Sequence, residues 1–178
     1  IILYTGMSVI LTIFPLYAQD VLNINESTTG LLLLVRGFTT CISFLLLGKT
    51  GFWQFKKRYI FLVQGLFALS CLLAIGFTSL ISYALFFFLF GILFAAAYDQ
   101  SMFHGASGSI NRSQRMIIHE VLLTVGTILG AVLGGYIYEV FSFSMVLRLI
   151  GSATLIILAF EMAIAFIVQL RQKQVVVE

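Results

Sequence analysis

Ionisable side chains inside otherwise apolar stretches are the residues of this sequence that could do chemistry. Arg36 lies in GLLLLVRGFTT, and Thr40 follows it one helical turn later. Asp99 lies in AAAYDQSMFHG, and Glu120 follows His119 near the start of another apolar stretch. A charge in an apolar span is costly and marks a functional candidate unless its side chain reaches water. Each of these residues has two readings, a site for a polar ligand or a proton, and a structural hydrogen-bonding group.

The composition indicates that lipid surrounds most of the chain. Of 178 residues, 61% are apolar and 10% are charged, whereas soluble domains are about 25% charged. The mean hydropathy is +1.10. Strands of a membrane β-barrel would alternate polar and apolar residues, and LFFFLFGILFAAA does not alternate. The sequence therefore predicts an all-α polytopic membrane protein. Cys41 and Cys71 fall inside apolar spans and are typical of small packing residues, so we expect no metal and no cofactor.

Six apolar stretches are long enough to cross a bilayer, whose core of about 30 Å needs roughly 20 residues of helix. We name them spans A to F; they cover about residues 1–19, 29–48, 58–77, 80–104, 116–138 and 143–168. Span A includes the first residue, Ile1. This beginning favours a piece of a longer protein or a trimmed chain.

Basic residues mark alternate connections between the spans. They lie between B and C, between D and E, and after F, as Lys49, Lys56, Lys57, Arg58, Arg112, Arg115, Arg171 and Lys173. The opposite connections hold Asp20, Glu26 and Glu139 without Lys or Arg. Basic loops stay on the cytoplasmic side, so both termini are predicted to be cytoplasmic, in the cell membrane. The net charge of +3 is accounted for by these loops and implies no nucleic-acid partner.

The six spans fall into two sets of three, residues 1–77 and 78–178. The alternation of basic loops makes the two sets cross the membrane in opposite senses. An inverted repeat of three helices has this arrangement. We therefore expect one bundle of six transmembrane helices over residues 1–178, built from two inverted three-helix repeats.

Four glycines interrupt the apolar run VGTILGAVLGG, residues 125–135. Glycine costs a helix roughly 1 kcal/mol relative to alanine. Gly126, Gly130 and Gly134 recur every four residues and share one helical face, which Gly135 widens. Helices in lipid pack through small residues that let their backbones approach closely. We expect a groove for another helix, serving either static packing or a sliding contact.

The same glycines resemble a signature of the major facilitator superfamily, G-x-x-x-G-P-x-x-G-G, with Ala131 at the proline position. Residues 17–30, YAQDVLNINESTTG, resemble the first external loop of that family. Residues 48–60, GKTGFWQFKKRYI, resemble its basic cytoplasmic loop, with Phe52 at the acidic position and Phe55 at the second glycine. The resemblance covers nearly the whole chain, and it is closest to helices seven to twelve of a twelve-helix transporter.

This resemblance implies a secondary transporter, or half of one, that moves a small organic solute by alternating access. Spans A and D would line its central cavity and spans B and E would flank it. The implied partners are the solute, protons, the lipid bilayer, and a second six-helix half on the same chain or in a second copy. The substrate or gating candidates are Arg36, Thr40, Tyr83, Phe87, Phe90, Tyr98 and Asp99. The candidates for proton coupling or a cytoplasmic gate are Asp99, Arg115, His119 and Glu120, with Arg115 able to pair with either carboxylate.

Two other classes of protein are alternatives. GASG, residues 105–108, matches the G-x-S-G of intramembrane serine proteases, but span F has no histidine and Ser107 falls in a cytoplasmic loop. Tyr98 and Asp99 resemble one half of the site of an intramembrane aspartyl protease, but the sequence has no G-x-G-D motif to supply the second carboxylate. We therefore expect no catalytic residues and no enzyme. A bundle without transport activity, such as a receptor-like or assembly subunit, is the stronger alternative.

Overall fold

Six α-helices make up the part of the chain that the computed structural model describes. That part comprises residues 2–107 and 110–175, with side chains as far as residue 169. The helices are α1 (Ile2–Asp20), α2 (Glu26–Gly48), α3 (Lys57–Ala74), α4 (Leu80–Ala106), α5 (Arg112–Val140) and α6 (Phe143–Val175). All six are long and apolar enough to span a membrane. The predicted all-α membrane fold is confirmed, and each predicted span falls on one helix.

The ends of the helices differ from the ends of the apolar spans. α2 begins at Glu26 because Asn25 caps it, its side-chain oxygen accepting a hydrogen bond from the Thr28 amide at 2.8 Å. α5 begins at Arg112, four residues before span E. Backbone hydrogen bonds set the length of a helix, whereas apolar side chains set only the part that fits in lipid. The two agree to within about four residues except at the end of α6, which runs to Val175, about two turns beyond span F.

Three helix pairs make the most extensive contacts in the bundle: α2 with α4, α1 with α5, and α3 with α6. Each pair joins one helix from residues 1–77 to one from residues 78–178. A glycine lies at each contact, with Gly91 of α4 against α2, Gly130 of α5 against α1, and Gly151 of α6 against α3. Without a Cβ atom the backbones come close, which supplies the dispersion contacts that hold helices together in lipid.

Aromatic rings fill the core between α1, α3 and α4. Phe14, Phe67, Phe87 and Phe90 are fully buried, and neighbouring rings in this group contact one another at centroid distances of 4.6 to 6.1 Å. α2, α5 and α6 instead expose many large aliphatic side chains. This apolar exterior suits lipid or the surface of another helical bundle.

Candidate functional site

Arg36 lies ten residues after the start of α2, which is about 15 Å along the helix and close to the middle of the membrane. Its guanidinium carbon lies 4.8 Å from the centroid of the Phe94 ring and 6.0 Å from that of Phe90, both on α4. Its Nε is buried and has no hydrogen-bond partner among the described residues. A cation over a ring gains about 0.5–2 kcal/mol, but this contact satisfies no N–H group. Arg36 as a whole is half-buried, and its two Nη groups are not among the buried unpaired atoms, so these groups rather than the buried Nε can donate a hydrogen bond to another molecule.

The close approach of α2 and α4 holds Arg36 in this position. The Arg36 carbonyl accepts hydrogen bonds from the Thr39 and Thr40 hydroxyls, both at 2.9 Å. Thr40 Oγ1 also lies 3.1 Å from the Gly91 carbonyl of α4. A side chain at Gly91 would collide with Thr39 and with the Arg36 carbonyl. Thr40 thus has a packing role next to Arg36 in this conformation, and its predicted contact with a substrate stays a prediction.

A chain of polar groups joins α1, α4 and α5. It lies near the start of α1, the end of α4 and the first third of α5. Ser101 Oγ lies 2.8 Å from the Tyr4 hydroxyl and 2.9 Å from His119 Nε2. His119 Nδ1 lies 3.2 Å from Glu120 Oε1, and the Tyr98 hydroxyl donates to the same oxygen at 3.3 Å. We call Tyr4, Tyr98, Ser101, His119 and Glu120 the polar network. Its hydroxyl and imidazole groups can both donate and accept, as a proton relay requires.

Phe94 and Tyr98 connect Arg36 to the polar network. Their rings are stacked, with centroids 6.4 Å apart and an interplanar angle of 13°. Tyr4 makes edge contacts with both rings and with His119, at 6.2 to 6.4 Å. We define the candidate site as Arg36, Phe94 and the polar network. Its residues come from α1, α2, α4 and α5.

The family model described as Major Facilitator Superfamily matches residues 1–176. The chain belongs to the major facilitator superfamily. No curated protein and no solved structure matches it. Proteins of this superfamily are membrane transporters rather than enzymes, and the six membrane-length helices make this chain an integral membrane protein.

Two of the charged candidates of this major facilitator chain make no hydrogen bond to the network. Asp99 is half-buried, and no hydrogen bond or ion pair joins it to another described residue. Arg115 is exposed on α5, one turn before His119. Within the described residues the one contact between a basic and an acidic side chain joins His119 to Glu120, and it is an ion pair only when the imidazole is protonated. Arg115 therefore pairs with neither carboxylate. Glu120 lies five residues after Arg115 on α5, whereas side chains on a helix face each other at spacings of three or four.

The remaining aromatic candidates lie in the core of this major facilitator bundle. Tyr83, Phe87 and Phe90 are at most 1% exposed. The Tyr83 hydroxyl donates to the Phe77 carbonyl at 3.1 Å. Contact between these three side chains and a substrate stays untested, and in this conformation they lack the exposure that it requires.

Glycines form the contact between α5 and α1. Gly126, Gly130 and Gly134 are the buried residues of α5. A Cβ at Gly130 would lie 2.7 Å from the Thr5 carbonyl oxygen, and one at Gly134 would collide with Val9. Thus α1 occupies the groove. Gly135 has no neighbouring atom within 4 Å of its Cβ position, so it lies outside this contact.

Several polar residues of the site carry no signal in the sequence. Tyr4 and Ser101 are neutral and inexpensive to bury, and 97 positions separate them. Outside the site, the sequence likewise carries no indication of a role for Gln64 of α3, whose amide donates to Glu161 of α6 at 2.9 Å. Ser107, the serine of the protease-like GASG, is the C-terminal cap of α4 and donates to the Phe103 carbonyl. Gly108, which completes that motif, lies outside the described residues.

Proposed function

We propose that this chain is a six-helix half of a secondary transporter that moves a small organic solute by alternating access. The candidate site carries the proposal, because it places a half-buried guanidinium beside aromatic rings near the middle of a membrane-length helix. The open Nη groups of Arg36 would donate to an oxygen of the solute. Phe94 and Tyr98 would contact its apolar part. Membership of a transporter family supports movement of the solute rather than binding alone.

A second six-helix unit, on the same chain or in a second copy, would complete this transporter. Glu120 is 52% exposed by its side chain, and α5 around it presents mostly large aliphatic side chains. Exposing a carboxylate and a guanidinium to lipid would cost about 3 kcal/mol each. Covering them with a second unit removes that cost and leaves the site between the two units. Rocking of the units about the site would open it to each side in turn.

The pattern of helix contacts supports the inverted repeats that we propose within this half. A two-fold axis relating residues 1–77 to 78–178 would exchange α1 with α4, α2 with α5, and α3 with α6. It would turn the α2–α4 contact into the α5–α1 contact and leave the α3–α6 contact unchanged. These are the three most extensive contacts. The basic connections support our further proposal that both termini are cytoplasmic and that the cell membrane is the location.

We also propose that His119 and Glu120 couple transport to protons. Ser101 has one hydrogen to donate, and its Oγ lies 2.9 Å from the Tyr98 carbonyl as well as from His119 Nε2. When Ser101 donates its hydrogen to the Tyr98 carbonyl, His119 must donate from Nε2 to Ser101 Oγ. The hydrogen bond between His119 Nδ1 and Glu120 Oε1 then needs a second proton, carried by either His119 or Glu120. When Ser101 donates to His119 instead, the neutral imidazole donates from Nδ1 to Glu120. The network can therefore gain or lose one proton while His119 keeps its hydrogen bonds to Ser101 and Glu120, and the Ser101 hydrogen bond to the Tyr98 carbonyl is present in only one of the two states.

Replacing Glu120 by glutamine should abolish solute-driven proton movement. An amide cannot take up the proton that the pair shares, whereas exchange of solute for solute needs no net proton transfer. Vesicles carrying the full-length protein and a pH-sensitive dye are tested with a panel of small organic solutes. Proton-coupled entry of a transported solute acidifies the lumen beyond the change seen in protein-free vesicles. We expect Glu120→Gln to lose this signal and to keep exchange of the labelled solute.

Asp99→Asn is the matched control, since it removes a carboxylate that makes no hydrogen bond or ion pair with another described residue. We expect it to keep the proton signal. Loss of the signal in Asp99→Asn with its retention in Glu120→Gln would assign coupling to Asp99 and overturn the role of the network.

A further inference from the structure

An apolar pocket of about 440 Å³ lies between α2, α3 and α4, beside the loop that joins α2 to α3. α2 and α3 both pack against α4 and form the two sides of the pocket. Leu46, Phe52 and Leu62 line it and are each more than half exposed. The pocket therefore opens sideways, toward the lipid that surrounds the bundle.

This pocket is separate from the candidate site. Its wall includes Tyr59, Leu62 and Leu66 of α3, a helix that contributes nothing to the candidate site. None of the residues of the candidate site lines it. A polar solute in transit would find few partners there, whereas a hydrocarbon chain would find a matching surface.

The loop beside the pocket and the start of α3 carry a cluster of positive charge. Lys49, Lys56, Lys57 and Arg58 are all exposed, and no Asp or Glu lies between residues 48 and 60. The Arg58 guanidinium lies over the Tyr59 ring, 5.0 Å from its centroid, and donates to its hydroxyl at 3.4 Å. Because Tyr59 lines the pocket, the cation lies at the rim of an apolar cavity.

We propose that this pocket binds an anionic phospholipid of the adjacent leaflet. One acyl chain fills the space between α2 and α3, and the phosphate pairs with the basic cluster of Lys49, Lys56, Lys57 and Arg58. The arrangement matches the two ends of such a lipid, an apolar chain and an anionic head. The leaflet on the side of basic loops is the one that carries anionic lipid. The proposal depends on the membrane fold and not on transport, so the two can fail separately.

Trp53 is a reporter placed inside this pocket. It is the one tryptophan of the sequence, it lines the pocket and it is 5% exposed. Its indole N–H donates to the Leu47 carbonyl at 3.1 Å, and its ring contacts Phe103 at 5.3 Å, so its position is fixed. Bromine atoms on an acyl chain quench tryptophan fluorescence on contact. Quenching of Trp53 therefore measures entry of the chain.

The test compares brominated phosphatidylglycerol with brominated phosphatidylcholine in bilayers that hold the full-length protein. The signal of a Trp53→Phe variant is subtracted to isolate Trp53. We expect half-maximal quenching by phosphatidylglycerol at an about fivefold lower mole fraction. That ratio corresponds to about 1 kcal/mol, the attraction of one basic residue for an anionic surface.

Replacing Lys56, Lys57 and Arg58 by glutamine should make the two lipids quench equally while chain entry persists. The matched control, Arg112→Gln with Arg115→Gln, removes exposed cations from the other basic connection and should keep the preference. Equal quenching by both lipids in the unaltered protein would overturn the anionic head. Absence of quenching by either lipid would overturn the acyl chain in the pocket.

Discussion

Arg36→Ala should reduce transport by about ten- to a hundredfold while the protein still inserts and purifies normally. The variant removes the half-buried guanidinium that lies over Phe94 and can donate to the solute. A hydrogen bond to a charged group contributes about 1.5–3 kcal/mol, which is one to two factors of ten in rate or affinity. Arg36→Lys keeps the charge and one donor near the rings, so it should retain part of the activity. Uptake of a transported solute into vesicles measures the loss.

Arg148→Ala is the matched control for this result. Arg148 is exposed near the start of α6, away from the candidate site, so the same change there should leave uptake nearly unaltered. Size-exclusion profiles of all three variants check that folding is intact. Full uptake by Arg36→Ala at a normal protein level would remove Arg36 from the transport site.

Gly130→Val should sharply lower the fraction of protein that folds. Even the first carbon of the new side chain would lie 2.7 Å from the Thr5 carbonyl oxygen, and backbone atoms cannot move aside as a flexible side chain can. α1 and α5 would have to separate, which breaks one of the three main contacts in the bundle. Overpacking of this kind costs about 1–3 kcal/mol or more. The melting temperature in detergent, followed by size-exclusion chromatography, measures the effect.

Gly135→Val tests whether the position or the residue type causes the loss. It makes the same change on the same helix, but no atom lies within 4 Å of its Cβ position. We therefore expect Gly135→Val to fold almost normally. Equal losses in both variants would mean that α1 does not occupy the glycine groove in the membrane.

Physical cost explains which features of the fold and site the sequence could predict. The spans were predictable because lipid demands about 20 apolar residues in each helix. Arg36 was predictable as a candidate because an arginine among leucines is expensive in lipid. The hydrogen bond between Tyr4 and Ser101 was not, because it joins two inexpensive side chains 97 positions apart.

The aromatic row of α4 shows the limit of helical periodicity. Five aromatic residues recur every three or four positions and so share one face of the helix: Tyr83, Phe87, Phe90, Phe94 and Tyr98. Their spacing alone does not distinguish one from another. In the structure the first three are buried in the core, while Phe94 and Tyr98 are half-buried and belong to the candidate site. Which part of a face is covered depends on the neighbouring helices, and periodicity within one helix carries no information about them.

The most direct test of where the solute path lies compares the access of water to two positions, Phe94 and Ile156. We place the path on the side of the bundle formed by α1, α2, α4 and α5. Phe94 lies 14 residues into α4 and Ile156 lies 13 into α6, so cysteines at these positions have similar depth. Both are made in a Cys41→Ser, Cys71→Ala background and treated in intact membranes with a membrane-impermeant thiol reagent. Ile156 is 70% exposed in the isolated bundle whereas Phe94 is half-buried, so exposure alone would favour labelling at Ile156. Our account predicts the reverse, with rapid labelling at Phe94 and none at Ile156, because lipid covers α6. Labelling at Ile156 with protection at Phe94 would contradict it.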